Sequence, residues 1–537
     1  MRALPRQAGL LALATALCAV GGGSADAATL SSRAAGNGSA HAAILSSGRS
    51  GSGSWTVYHH DAAGTGVAAS VTAVDTAKRA WTSPRLDGQL YGEPLAWSGR
   101  VYVATENDTV YALSSGTGAV AWAAHLGSPV PAASLPCGDI TPTVGITGTP
   151  VIDQSRREIF VVADELRHGR PAHVLVGLAT TSGRIEMTRD VDPAGADTAA
   201  LLQRTGLTLD ADQVVFGFGG NDGDCAAYRG RLAAVPETGG KPRFFTVDAT
   251  ADESQGAIWM GGAAPVVDSK GNVWVSVGNG SVYSSSHAYD DSDSVLELSS
   301  SLRLLQFFAP ADWATNNSED LDMSAAPALL PDGQVILTGK SRIVYLLNGS
   351  RLGGIGGQQA ALGPACDEDI DGGIALVRST VYLPCLTGII AVRAARSPPA
   401  LRLLWSSGTG GGPPIVAAGL VWTIGQNGTL YGLDPATGKA AQQASIGVPA
   451  NHFPSPSVGD GLLLAPAAER VVAFTASGRA AAATTPVTTP APAATSQPGK
   501  SRAAIAPGAI AGIVAGGLVL IGGIGWLLRR GRADRSS

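Results

Sequence analysis

The chain has 537 residues, of which 45% are apolar and 15% charged, and it contains 71 glycines and 32 prolines. This composition is typical of a globular, turn-rich protein built from strands. The net charge of −5 excludes nucleic acid as an expected partner, because proteins that bind nucleic acid carry basic stripes.

The N-terminus has the features of an export signal. Arg2 and Arg6 precede the apolar stretch Ala8–Val20, which is too short to span a bilayer, and an A-x-A cleavage motif follows it. We therefore predict a signal peptide over residues 1–27 and an exported protein. A stretch rich in serine, glycine and alanine follows, and it predicts a disordered linker over residues 28–54.

A recurring unit occupies the middle of the chain, residues 55–478. The stretch NDTVYALSSGTGAVAW (107–122) matches NGTLYGLDPATGKAAQ (427–442) at equal offsets in Asn, Thr, Tyr, Leu, Thr and Gly. Weaker copies lie between them, and each is preceded by two short apolar strands joined by a tight turn. A repeat of roughly 40–60 residues with four short strands predicts an all-β fold, the β-propeller.

The unit starts predict the number of blades. They fall near residues 93, 148, 208, 263, 325, 373, 413 and 454, which predicts eight four-stranded blades. The last unit supplies only three strands, and we expect a strand at 77–86 to complete it. Such closure removes the open sheet edge that would otherwise invite aggregation.

The C-terminal part predicts a membrane anchor. A stalk rich in threonine, proline and alanine (479–503) cannot bury a core and should form an extended spacer. An apolar run without charge predicts a transmembrane helix over 504–528, long enough for a hydrocarbon core of ~30 Å. The arginines of residues 529–537 predict a basic cytoplasmic tail. The expected location is the cell membrane, with a single span and an extracytoplasmic N-terminal ectodomain.

The repeat carries a family resemblance. Units of the form x-[TV]-[VL]-Y-x-L-x-x-x-T-G-x-x-x-W resemble the PQQ-like repeat of quinoprotein alcohol dehydrogenase-like propellers, over most of residues 55–478. The stretches PCGDITPTVGITGTPVID and GDCAAYRG resemble an exported, membrane-anchored bacterial subfamily that is named for the repeat alone. The repeat is specific for the fold and does not by itself determine an activity.

One face of the predicted propeller gathers the unusual loops. The connections from strand D to strand A and from strand B to strand C emerge on the same face, and the long acidic loops fall in them. Loops on a rigid scaffold are where binding sites usually lie. We therefore expect Trp313, Asp290, Asp291 and Asp293 to contribute to a binding face.

The cysteines predict two disulfides. Without Cys18, which lies in the signal peptide, four cysteines remain, and they allow three pairings. Antiparallel strands A and B bring the positions of Cys366 and Cys385 side by side, which favours that pair and leaves Cys137–Cys225. No C-x-x-C spacing indicates a redox or zinc role.

The resemblance implies what a quinone-dependent member would contain. Such dehydrogenases are expected to have an adjacent Cys–Cys ring over the cofactor, a tryptophan floor, Ca²⁺ ligands and an aspartate base. This sequence has no adjacent cysteine pair. Asp320 and Asp322 lie where the catalytic aspartate would be, and Trp259 is a candidate floor. The alternatives are that the aspartates cap a turn and that Trp259 packs between blades.

An acidic loop predicts a structural calcium site. Asp367, Asp369 and Asp371, followed by Gly372, have the D-x-D-x-D-G opening of a calcium loop. The twelfth position, which should be glutamate, is Arg378, so one bidentate ligand is missing.

Two functions from different classes remain. The first is a non-catalytic surface propeller that binds a protein or a cell-envelope polymer with its loop face and needs no cofactor. In scaffold it resembles the lipoprotein propeller of outer-membrane assembly. The alternative is a PQQ-dependent dehydrogenase that passes electrons to the membrane. The missing cysteine pair and the absence of a haem C-x-x-C-H motif favour the first.

Overall fold

The computed structural model describes residues 53–247 and 253–476. Eight four-stranded antiparallel blades surround a central axis, which confirms the predicted all-β propeller and its blade number. The predicted signal peptide (1–27), stalk (479–503), transmembrane helix (504–528) and basic tail lie outside the described residues. Within the described part of the chain, no helix has the length and apolar character needed to cross a membrane.

We name the strands of each blade A to D from the axis outward. Blade 1 comprises Leu95–Trp97, Arg100–Ala104, Thr109–Ser114 and Val120–His125. Blade 2 comprises Val151–Asp153, Glu158–Arg167, Arg170–Ala179 and Ile185–Asp190. Blade 3 has a divided strand A and comprises Leu201–Leu202 with Thr208–Asp210, Gln213–Gly220, Arg231–Pro236 and Arg243–Thr246. Blade 4 comprises Val266–Val267, Val273–Val277, Ser294–Leu298 and Leu304–Ala309.

The second half of the ring repeats this order. Blade 5 comprises Ala328–Leu329, Gln334–Leu337, Val344–Asn348 and Ala360–Leu362. Blade 6 comprises Ala375–Val377, Thr380–Cys385, Gly388–Arg396 and Pro399–Ser407. Blade 7 comprises Ile415–Ala417, Leu420–Gly425, Thr429–Leu433 and Ala440–Ser445. Blade 8 comprises Ser457–Gly459, Leu462–Ala467, Arg470–Ala476 and, as strand D, Val74–Thr82.

Several short strands and helices lie outside the regular four-stranded blades. Val67–Ala68 pairs in parallel with strand A of blade 7, and Gly354–Ile355 pairs in parallel with strand D of blade 4. Val130–Pro131 and Thr143–Val144 form a hairpin between blades 1 and 2. The helices are the α-helix Trp313–Glu319 and the 3₁₀ turns Ala132–Ser134, Thr198–Ala200 and Met260–Gly262.

The N-terminus closes the ring, as the sequence predicted. Val74–Thr82 pairs in antiparallel register with Arg470–Ala476, so blade 8 is built from both ends of the propeller. The strand begins and ends a few residues earlier than the predicted 77–86.

The Thr-Gly and Trp of the repeat join neighbouring blades. The indole of Trp81, on strand D of blade 8, donates to the carbonyl of Ser115 in the C–D turn of blade 1 at 2.8 Å. Gly118 of that turn has φ +70°, and a Cβ there would lie 2.4 Å from the Trp81 ring. Glycine is therefore required twice: it adopts the positive φ of the turn without strain, and its lack of a Cβ leaves room for the indole ring that covers the turn. Equivalent pairs are Trp122 with Gly183 and Trp405 with Gly438.

A segment that the repeat did not predict runs along the axis. We call residues 55–66 the axial plug. Its carbonyls accept hydrogen bonds from strand-A amides of five blades: Ala96, Ile152, Val267, Leu376 and Val416 donate at 2.7–2.9 Å to Trp55, Thr56, Ala62, Thr65 and Gly66. Since strand A of each blade faces the axis, the plug fills the centre of the ring. It is fixed there by backbone bonds that leave no periodic signal in the sequence.

Candidate functional site

The loops of one face enclose a cavity of about 560 Å³ on the axis. Two kinds of segment line it. One is the segment that leads into or forms strand A, in blades 1 to 6 and 8, and the other is the B–C loop, in blades 3 to 6. We call it the axial cavity. Seven of the residues that line it are aspartates: Asp139, Asp222, Asp224, Asp320, Asp322, Asp369 and Asp371. The predicted convergence of acidic loops on one face is thus seen here.

Several candidate residues from the sequence meet in the axial cavity. Asp320 and Asp322 lie in the connection to blade 5, and Trp259 lies in the connection to blade 4. All three line the cavity, although Trp259 and Asp322 are more than 60 positions apart in the sequence. The propeller brings them together because every connection of this type ends at the same place on the axis.

A lysine that the sequence analysis missed contacts both candidate bases. Lys340 Nζ lies 2.6 Å from Asp322 Oδ2 and 3.1 Å from Asp320 Oδ1, and 5.5 Å from the centroid of the Trp259 ring. Burial lowers the pKa of Lys340, but the carboxylates of Asp322 and Asp320 raise it more, so it lies above its usual range. Lys340 therefore stays charged. It comes from a B–C loop without a recognisable motif, so no sequence signal indicated it.

Asn279 completes this network from the B–C loop of blade 4. Its backbone N–H donates to Asp322 Oδ1 at 2.7 Å, and its Nδ2 donates to Asp320 Oδ1 at 2.6 Å. Both candidate bases are consequently held by fixed donors. The Oδ1 atom of Asn279 is buried and has no hydrogen-bond partner among the described residues.

A buried arginine lies among aromatic rings of the cavity. Arg204 is only 5% exposed, and its guanidinium carbon lies 4.7 Å from the Phe453 ring centroid and 5.8 Å from that of Tyr91. Burial lowers the pKa of Arg204. The Phe453 ring also packs edge-on against Trp259, at 5.8 Å between centroids. The sequence analysis did not identify Arg204, because a single arginine between two short strands carries no pattern.

The three aspartates of the predicted calcium loop do not come together. Asp369 and Asp371 line the axial cavity, whereas the Asp367 side chain is exposed and its backbone carbonyl accepts from Arg342 Nη1 at 3.0 Å. Ile370 forms an isolated antiparallel bridge with Cys385. In the described part of the chain, no group of three or more His, Cys, Asp or Glu side chains is placed to hold a metal ion.

The predicted binding residues of blade 4 and of the helix after it are mostly buried. Trp313 is 3% exposed and packs against Tyr289, at 5.0 Å between ring centroids. Asp290 and Asp293 are 2% and 0% exposed, and Asp291 is half-buried. Trp313, Asp290 and Asp293 are therefore not exposed on the loop face, and a contribution of this loop to binding stays a prediction. The loop folds over them, and Asp290 accepts from the hydroxyl and backbone N–H of Ser292.

Both disulfides form as predicted. Cys137 pairs with Cys225, at 6.1 Å between Cα atoms, and Cys366 pairs with Cys385 at 6.0 Å. Each disulfide fixes a loop that carries cavity carboxylates. The first lies beside Asp139, Asp222 and Asp224, and the second encloses Asp369 and Asp371. The cysteines therefore shape the acidic rim of the axial cavity.

Comparison with known families decides the identity of the repeat. A family model described as outer membrane protein assembly factor BamB matches residues 67–348, which is more than half of the chain. This protein belongs to that family of PQQ-like repeat propellers. Its membership agrees with the resemblance carried by the repeat. No curated protein sequence matches the chain.

Solved structures agree with this PQQ-like family fold. Quinohemoprotein alcohol dehydrogenase ADHIIG from Pseudomonas putida HK5 is similar with a TM-score of 0.60 at 12% identity, covering 80% of this chain and 81% of that one. The quinohemoprotein alcohol dehydrogenase of Comamonas testosteroni gives 0.58 at 14%, covering 79% and 80%. A europium-containing methanol dehydrogenase gives 0.55 at 14%, covering 78% and 90%. At such identities the likeness concerns the fold alone.

Proposed function

We propose that this protein is a cell-surface, membrane-anchored β-propeller that binds a protein or a cell-envelope polymer through its loop face and catalyses no reaction. The family description, an outer-membrane protein assembly factor, supports a role in the cell envelope. The signal peptide predicted over 1–27 and the membrane span predicted over 504–528 support an extracytoplasmic propeller.

The observation that carries this proposal is the engagement of both candidate bases by Lys340. A lone pair that accepts from a fixed donor is not available to remove a proton. Asp322 accepts at Oδ1 from the backbone N–H of Asn279 and at Oδ2 from Lys340, while Asp320 accepts from Asn279 and Lys340 through Oδ1 alone. The two carboxylates act as acceptors in a structural network.

The residues of the axial cavity are a poor match for PQQ. The quinone is a tricarboxylate, whereas seven aspartates and only two permanent cations, Arg204 and Lys340, line the cavity. The disulfides join cysteines 88 and 19 positions apart, so neither is the adjacent Cys–Cys ring that the resemblance implies for dehydrogenases. Both the charge of the cavity and the positions of its cysteines therefore disagree with a bound quinone.

The alternative, a PQQ-dependent dehydrogenase that passes electrons to the membrane, has one observation in its favour. Trp259, Asp320 and Asp322 lie together on the axis, which is the placement that this hypothesis predicted.

Addition of PQQ discriminates the two functions. The full-length protein in detergent is mixed with PQQ, with and without Ca²⁺, and the melting temperature and dye-coupled alcohol oxidation are followed. We expect neither a calcium-dependent shift nor turnover. Turnover that disappears in Asp320→Asn and Asp322→Asn, and persists in the exposed Asp312→Asn, would establish the dehydrogenase.

Crosslinking locates the partner. A photo-crosslinking amino acid replaces Tyr283, which is 58% exposed at the axial cavity, or Lys241, which lies beside a cavity between blades 2 and 3 built from A–B and C–D turns. We expect adducts with envelope components from position 283 only. Equal labelling from both positions would contradict recognition by the loop face.

A further inference from the structure

Three buried residues that line the axial cavity carry a polar atom without a hydrogen-bond partner, and so does the half-buried His452. Arg204 Nη2, Asn279 Oδ1 and Asp371 Oδ1 have no hydrogen-bond partner among the described residues. These residues are 5%, 6% and 6% exposed. Buried polar groups are normally hydrogen-bonded, and an exception in a cavity indicates a ligand or water that completes it.

The chemistry of these atoms narrows the class of ligand. The Asn279 and Asp371 oxygens need donors, whereas the Arg204 guanidinium needs an acceptor. An ammonium group cannot accept, and a carboxylate cannot donate. A hydroxyl group does both, so a ligand with several hydroxyl groups can satisfy all three atoms.

The charges of the cavity oppose an anion overall and oppose a cation beside Arg204. Seven aspartates oppose an anion, and Arg204, buried beside Phe453 and Tyr91, opposes a cation at the same point. The Trp259 and Phe453 rings add flat apolar surface beside these polar groups. A volume of about 560 Å³ lies within the range of small-molecule sites, roughly 300–1,000 Å³.

We propose that the axial cavity binds a neutral sugar unit of a cell-envelope polysaccharide. Asp371 and Asn279 accept hydrogen bonds from its hydroxyl groups, and Arg204 donates to one of them. The Trp259 ring covers the apolar face of the sugar ring, and the perpendicular Phe453 ring borders it. This inference rests on the proposed binding function and chooses a polysaccharide over a protein as the partner.

Titration of the full-length protein in detergent tests the inference. The probes are tetrasaccharides of glucose, mannose, galactose and arabinose, with spermidine and tetragalacturonate as charged controls. Calorimetry measures the Kd, and saturation-transfer NMR of the unmodified protein maps which ligand protons contact aromatic rings. We expect at least one neutral tetrasaccharide to bind, with the strongest transfer to C–H protons of one ring face.

Variants assign the binding to the cavity. Asp371→Asn and Arg204→Gln each remove a charged hydrogen-bonding group, so we expect each to raise the Kd about tenfold or more. Asp212→Asn, on an exposed turn beside the other cavity, should leave the Kd unchanged. Circular dichroism checks that the variants fold, and the NMR map needs no variant.

The outcomes separate this inference from the proposed function. Failure of all four neutral tetrasaccharides to bind, or tighter binding of either charged control, overturns the sugar assignment. Sugar binding that neither variant weakens also overturns it. In each case a protein partner crosslinked at position 283 leaves the binding function standing. Calcium-dependent PQQ binding with turnover would instead overturn the proposed function itself.

Discussion

Lys340 Nζ lies 2.6 Å from Asp322 Oδ2, and this contact holds a buried carboxylate at the edge of the axial cavity. The two side chains are only 20% and 10% exposed, so removal of the lysine leaves a charge without compensation. We expect Lys340→Met to lower the free energy of unfolding by about 3 kcal/mol in urea denaturation.

Two further variants control this prediction. The double variant Lys340→Met/Asp322→Asn should recover part of the loss, because the amide oxygen can still accept from Asn279. Arg85→Ala removes one partner of the exposed Arg85–Glu469 pair and should leave the stability nearly unchanged. An unchanged stability of Lys340→Met would contradict a structural role for this contact.

A comparison of Gly118 with Gly99 separates the cost of backbone strain from the cost of a clash at the contact between blades. Both have positive φ, +70° and +79°, but a Cβ at Gly118 would collide with the Trp81 ring, whereas a Cβ at Gly99 meets nothing within 4 Å. We expect Gly118→Ala to lower the free energy of unfolding by about 2 kcal/mol more than Gly99→Ala, because overpacking adds to the strain. Equal losses in thermal and chemical denaturation would show that the Trp81 contact does not limit this turn.

The two disulfides should differ in their contribution to stability. Loop-closure entropy grows with the separation of the cysteines, which is 88 positions for Cys137–Cys225 and 19 for Cys366–Cys385. The double serine variant of the first should lose about 4.5 kcal/mol, and that of the second about 3 kcal/mol. Denaturation of each variant under non-reducing conditions measures the difference, and the reverse order would contradict the entropic account.

Glu93 makes stability depend on pH. Burial raises its pKa to about 8, against the weaker effects of the neighbouring Trp55 and Ser455 side chains and of the hydrogen bond from the His59 backbone N–H. The native state therefore keeps a proton that the unfolded chain has lost, and stability falls as the pH rises from about 5 to 8. We expect Glu93→Gln to reduce this slope by up to about 1.4 kcal/mol per pH unit.

The amide variant is a clean replacement, because its oxygen can still accept the His59 N–H bond, which is 2.8 Å long. Denaturation between pH 5 and 8 compares it with the unmodified protein and with the exposed Glu319→Gln. A slope that Glu93→Gln leaves intact would assign the pH dependence to other buried acids. Glu106 and Asp164, whose pKa values burial raises to about 7, are the candidates.

Local physical requirements explain why the fold was predictable. Gly118 must adopt a positive φ and Trp81 must cover it, and the same pair recurs as Trp122 with Gly183. Such requirements place the same residue types at the same offsets in each blade, so the sequence alone predicts the propeller, its eight blades and its closing strand. The two disulfides followed from the antiparallel order of strands A and B.

The site depended on contacts that no repeat encodes. Asp320, Asp322 and Trp259 were expected on the axis. Three other residues define the chemistry of the cavity: Lys340 and Asn279 come from B–C loops, and Arg204 comes from the break in strand A of blade 3, all without a motif. Conversely, the acidic run at Asp290–Asp293 suggested an exposed patch, and the folded loop buries most of it. A short loop sequence specifies charge, whereas burial depends on which loops meet above it.

The sequence by itself thus determined the propeller, its closure and its disulfides, because those follow from spacing and strand order within each blade. Only the tertiary structure decided that Lys340 engages the candidate bases, that residues 55–66 fill the axis and that unpaired polar atoms face a common cavity. These features arise where side chains and backbone from distant blades converge on one axis. Their distances depend on the geometry of the whole ring, which no single stretch of the chain contains.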